Sequence, residues 1–192
     1  MKRRPVWPAA CLALLLGGCS LAPPLPPAPR QSLAATATTV QRRISLIPDD
    51  TRRAPRTLLA VLRVRGAGWR AAFLTPYGQR LVTLIHEDGD SRYREGDVPL
   101  ATLGDTLPPA DWLAARLDWC LWPTAALRAA FDGTSWTVDV ADGARIIRHH
   151  GRAVARITPA DTEFARAETV RLDDRRGGYR LRISPLPETS HE

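Results

Sequence analysis

The sequence predicts an α+β domain, mainly antiparallel β, in which a meander of strands is interrupted by one helical insert. Three observations carry that prediction. Short apolar runs are separated by paired turn residues such as Asp88-Gly89 and Asp142-Gly143, and Asp-Gly between apolar runs is a strong hairpin signal. The stretch Leu107 to Phe131 breaks this texture with apolar residues at helical spacing. Several strands are apolar on both faces, which an antiparallel sheet with one wet face should not be.

The chain opens with Lys2, Arg3 and Arg4 ahead of a short apolar run from Val6 to Leu16. A basic start, an apolar middle and small residues before a cut describe a secretory signal, and the run is too short for a membrane span, which needs about 20 apolar residues. Leu16-Gly17-Gly18-Cys19 resembles a bacterial lipobox. That resemblance implies cleavage before Cys19 and diacylation of its thiol. Two or more acyl chains anchor stably where one is marginal. Ser20 in place of aspartate implies the outer membrane, periplasmic face. The expected organisation is a signal peptide at 1–18, a lipidated tether at 19–45, one domain at 46–185 and a tail at 186–192.

Loss of residues 1–18 leaves 174 residues, enough for one domain with a real core. It also takes away three cations, so 24 basic residues face 20 acidic ones. All 24 are arginine and are scattered among acids, unlike the concentrated basic face of a nucleic-acid binder. With Cys11 in the signal and Cys19 lipidated, Cys120 is left without a disulfide partner and reads as a small core residue.

Leu21 to Pro29 holds five prolines in nine residues, an extended spacer. Gln31 to Thr39, rich in Ala and Thr, reads as more tether. Strands are then expected at Thr57–Val64, Trp69–Leu74, Gln79–His86 and Ser91–Tyr93. In the first, Leu58, Ala60, Leu62 and Val64 oppose Leu59 and Val61; in the third, Leu81 and Ile85 oppose Val82 and Leu84. Either both faces are covered or one lines an apolar hollow.

In the helical stretch Asp111 is the expected N-cap, Pro123 breaks the helix, and Asp132-Gly133 closes it. Leu113, Leu117, Cys120 and Leu121 form one stripe, and Trp112, Ala115, Trp119 and Trp122 a second, with Arg116 and Asp118 between them. A helix apolar nearly all round is buried or faces another apolar medium. It is either a core helix or a plug bordering a lipid-sized cavity. Strands resume at Trp136–Val140, Ala144–His149, Arg152–Ile157, Arg166–Leu172 and Tyr179–Ile183, about nine in all on typical strand lengths.

No nucleophile elbow, His-Glu-x-x-His pair, phosphate loop with a lysine, or paired-cysteine metal spacing occurs. His149 and His150, adjacent on a strand, would point to opposite faces. His86, Glu87 and Asp88 fall at a hairpin end, and Asp173-Asp174 at a turn where such side chains cap amides. Catalysis, metal and cofactor are not expected.

Phe73-Leu74-Thr75-Pro76-Tyr77-Gly78-Gln79-Arg80-Leu81-Val82-Thr83-Leu84 resembles the central signature of a family of small bacterial lipoproteins of unassigned function, often encoded beside aryl-polyene biosynthesis genes. The Trp122-Pro123 break and Gly178-Tyr179-x-Leu181-x-Ile183 fit as well. That family is similar to the lipoprotein carriers LolA and LolB, which implies an incomplete antiparallel β-barrel closed by helices around an apolar cavity. The function so implied is a non-catalytic carrier or insertion factor for an acyl or aryl-polyene lipid or a lipoprotein. Its partners would be the membrane, through Cys19, and that cargo; the chain would be monomeric, with no nucleic acid. Trp69, Phe73, Leu84, Trp112, Trp119 and Trp136 are the candidate cavity wall, and 96–104 or the helix a lid. The competing expectation is a lipid-tethered scaffold with a solid core, the outcome that a filled interior would favour.

Overall fold

A computed structural model describes residues 25–104, 107–161 and 168–186. Ten strands form a single antiparallel sheet: β1 (Ala34–Pro48), β2 (Arg56–Gly66), β3 (Gly68–Leu74), β4 (Arg80–Glu87), β5 (Asp90–Glu95), β6 (Trp136–Ala141), β7 (Ala144–His149), β8 (Arg152–Thr158), β9 (Val170–Asp174) and β10 (Tyr179–Pro185). Between β5 and β6 the described residues form three helices, α1 (Leu100–Leu103), α2 (Ala110–Leu121) and α3 (Thr124–Phe131). The strand order is β5-β4-β3-β2-β1-β10-β9-β8-β7-β6, so β5 and β6 are free edges and the sheet is not closed.

Two five-strand meanders therefore meet at a seam of β1 and β10. The expected tight turns are present. Asp88-Gly89 and Asp142-Gly143 both have positive φ at both residues, as does His150-Gly151, the geometry that matches the twist of paired strands.

The reading of residues 34–45 as tether is corrected by the structure. Ala34–Pro48 is the longest strand of the sheet and one of its two central ones. Thr36, Thr38, Thr39 and Val40 are β-branched and favour a pleated surface, and pairing on both sides supplies what their small side chains do not. The expected Arg166–Leu172 strand is found as Val170–Asp174; Glu168 and Thr169 precede it outside the strand, and Arg166 and Ala167 lie outside the described residues.

The inner face is the core. Leu62, Val64, Trp69, Ala71, Val82, Leu84, Ile147, Ile157, Leu172 and Leu181 are all buried there against α2 and α3. On the outer face no second layer among the described residues explains the two-faced strands. Ile85, fully buried, stands between Arg70 and Arg92 in the ladder, and both arginines fold over to Glu87. Their aliphatic stems cover it while the charged heads stay wet.

Candidate functional site

The helical insert is the feature around which the sheet is arranged. Pro108-Pro109 set its start, and α2 begins at Ala110 with Pro109 at the N-cap, so Asp111 lies in the first turn instead of capping it. An acid there still complements the helix dipole. Trp122-Pro123 separates α2 from α3 as expected, and Asp132 is the C-cap of α3. Trp112 packs on Tyr179 (ring centroids 4.8 Å apart) at the far end of the sheet. Trp122 Nε1–H donates to the Gln31 carbonyl (3.2 Å) at the end where the chain enters β1. α2 thus runs through the trough from far end to entry end, and α3 returns to bring Phe131 beside Trp136.

Residues 114–121 of α2 are buried without a break, including the two expected to separate its stripes. Arg116 and Asp118 are 5% and 3% exposed, and each is satisfied by the sheet on one side. Asp118 Oδ1 accepts from Trp69 Nε1–H at 2.9 Å, and its Oδ2 lies 3.4 Å from His86 Nε2; His86 Nδ1 is 2.8 Å from Ser91 Oγ. Burial pushes the Asp118 carboxyl up to about 7 and holds the His86 imidazole below its usual range. Both shifts favour neutral partners, as expected where charge is removed from water.

The other side is built differently. Arg116 Nε–H donates to Asp174 Oδ2 at 2.7 Å, Tyr179 O–H donates to the same oxygen at 3.1 Å, and the amides of Arg176 and Gly177 donate to Oδ1 at 3.0 and 2.7 Å. The guanidinium also sits 4.3 Å over the Trp112 ring and 4.7 Å over Trp119. A Cβ on Gly177 would meet Asp174 Oδ2 and Trp112 Cζ2 at 2.9 Å, so only glycine fits this turn.

A third link caps the helix break. Arg145, fully buried, donates to the carbonyls of Trp119, Trp122 (2.8 Å) and Ala160 (2.8 and 3.1 Å). The Trp119 and Trp122 carbonyls lie at the C-terminal end of α2, where carbonyls lack intrahelical partners, and the arginine ties them to the Ala160 carbonyl after β8.

The sequence-predicted wall residues come together in one cluster. Trp69, Phe73, Leu84, Trp119 and Trp136 are at most 5% exposed, and Trp112 packs against them half-buried. Trp119 lies 6.0 Å from Trp136, which stacks on His149 at 4.3 Å. In this conformation they are packed core and not the wall of an open hollow. Trp119 Nε1–H, buried, has no acceptor among the described residues. Cys19 lies outside the described residues. Cys120 is buried, its thiol pushed up to about 12 by burial.

Among the described residues, clefts open at both ends of the sheet. One, about 970 Å³, lies at the entry end between Pro27–Arg30 and the β2–β3 and β4–β5 turns, and Trp69 alone of the candidate wall borders it. The other, about 580 Å³, lies at the far end among His149, His150, Arg152, Arg175 and Arg176. The His149 and His150 rings are 4.3 Å apart and do not oppose each other, because His150 has turned into positive φ. The 96–104 stretch begins pinned, with Gly96 and Asp97 amides bonded to Leu81 and Arg80 carbonyls.

Residues 29–187 match the family model described as protein of unknown function, DUF3261. The chain belongs to that family. The match covers every strand and helix of the sheet and plug. No curated protein matches the chain at a significant level.

Proposed function

We propose that this DUF3261 chain is a non-catalytic envelope lipoprotein, anchored through Cys19 to the periplasmic face of the outer membrane. Its half-barrel shelters the apolar chain of a lipid or lipoprotein, aryl-polyene or acyl, in the manner of LolA and LolB. One observation carries the reading: an open sheet has its trough filled by a segment of the same chain that shares no strand ladder with it. The insert enters past Pro108-Pro109, turns at Pro123 and leaves between the two free edges. It can move away without breaking a strand pair. The pocket is then made by displacing α2, and hydrocarbon takes over contacts worth about 25 cal/mol per Å². The Trp119 Nε1–H, unpartnered among the described residues, is a donor open to an ester or amide carbonyl of the cargo.

The test is organic extraction and mass spectrometry of the protein purified from native membranes. Non-covalent lipid at near-stoichiometric amounts is expected, with faster amide exchange in α2 when that lipid is present. Complete absence of such lipid, with α2 amides among the slowest, overturns it. The packed state of Trp69, Phe73, Leu84, Trp119 and Trp136 favours a second reading, a lipid-tethered scaffold with a solid core. That reading requires a stoichiometric protein partner in a pull-down, and no lipid.

A further inference from the structure

The entry-end cleft has a chemistry that the packed interior does not use. Arg63 and Arg65 lie two apart on β2 and share its outer face. Arg70 stands directly across from Arg63 on β3, and Arg30 closes the opposite wall from the N-terminal segment. Like charges directly opposite each other in an antiparallel pair are destabilising. Carboxylate is short here. Glu87 Oε1 takes Arg70 at 2.7 Å, and its Oε2 lies 3.6 Å from Arg92 on the neighbouring strand. Asp88 is the other acid on the lining. Among the described residues, the side chains of Arg30, Arg63 and Arg65 have neither a hydrogen-bond nor an ion-pair partner.

We propose that this cleft binds the phosphate of an anionic lipid headgroup, with Arg63 and Arg65 as its fork and Arg30 closing over it. Guanidinium presents paired donors that match phosphate oxygens, and an anion there relieves the Arg63–Arg70 repulsion. The volume, about 970 Å³, holds a headgroup and not merely a bare phosphate. A lipid is the source because of where the cleft sits. Gln31, next to Arg30, accepts from Trp122 at the tip of the plug, so a headgroup held here lies beside the point where α2 turns into α3. This source rests on the lipid-handling reading above; the anion site itself does not.

The experiment is calorimetric titration of the full chain in nonionic detergent with dihexanoylphosphatidylglycerol, glycerol 1-phosphate and inorganic phosphate. Saturable binding of the phosphatidylglycerol is expected, tighter than either soluble phosphate and weakened by salt. The exposed double variant Arg63→Gln/Arg65→Gln should lose about tenfold or more, one charge-assisted contact being worth roughly that factor. Arg175→Gln/Arg176→Gln at the far end should bind as the parent does. Equal affinity for glycerol 1-phosphate or inorganic phosphate overturns the lipid source. No saturable binding, or equal losses in the two double variants, overturns the site. Co-purified lipid in the preceding test stands or falls independently of all three results.

Discussion

Arg116 and Asp118 sit two residues apart on one buried helix, yet they are held in opposite ways. The Asp174 carboxylate that holds Arg116 accepts from four donors: the guanidinium, a tyrosine hydroxyl and two backbone amides. Four donors on one carboxylate keep a buried charge pair satisfied. Burial raises the Asp118 carboxyl to about 7, and one indole N–H with a long contact to an imidazole offsets only part of that rise. One flank of the plug is a fixed ionic clamp, and the other is a link whose strength depends on a proton.

The largest expected effect breaks the clamp. Asp174→Ala leaves Arg116 buried without its carboxylate and strips two amides of their acceptor, so unfolding free energy should fall by about 3–5 kcal/mol in urea titrations. A loss under 1 kcal/mol, of the size typical for exposed ion pairs, would place Arg116 in water and end the contrast.

The next effect sharpens the other flank. Asp118 binds its proton more tightly in the folded chain, so its contribution to stability falls as pH rises from about 4 to about 7 and is flat above. A shift of that size corresponds to about 4 kcal/mol at most. His86, held low by burial, acts in the opposite sense, losing stability as pH falls below its usual 6.5. The difference between Asp118→Asn and the parent isolates the carboxyl. The variant should be the more stable at pH 8 and nearly equal at about pH 3.5, below the ordinary carboxyl range, in paired urea curves. Parallel pH profiles would show that Asp118 is ionised at little cost.

Much of this scaffold was legible in the sequence, and the reasons are local. Asp88-Gly89 and Asp142-Gly143 announce hairpins because the turn chemistry sits within the turn. Pro123 announces the helix break for the same reason. β1 was not legible, since an Ala- and Thr-rich stretch after a proline run looks like tether until β2 and β10 flank it. The polar links were hidden more deeply. Arg116 and Asp118 look like solvated separators between two apolar stripes, and their partners Asp174 and Trp69 lie 58 and 49 residues away. No periodicity reports a contact at that distance. Asp174 did read as a turn cap, which it is for Arg176 and Gly177, but nothing nearby marks the arginine it also holds.

Smaller effects refine the contrast. Gly177→Ala should cost about 1–3 kcal/mol by overpacking, because the new methyl would push on Asp174 and Trp112 together; a neutral result would mean the clamp turn yields freely. Least of all, Trp69→Phe should destabilise more than Trp119→Phe by about 1 kcal/mol, the net worth of one hydrogen bond. Both lose similar volume, but only Trp69 gives up a bond to Asp118. Equal melting midpoints would put the Asp118 link at no net value.

The position of β1 has a mechanical side. Its first residues enter at one end of the sheet and its fifteen residues run along the middle, gripped by β2 and β10. A pull on the chain ahead of Ala34 therefore loads those ladders lengthwise, in shear, where many bonds must slip at once. An outer hairpin pulled from its tip would unzip one bond at a time. Whatever tugs on the amino-terminal segment meets the stiffest handle that this sheet offers, and the load reaches both wings before it reaches the plug.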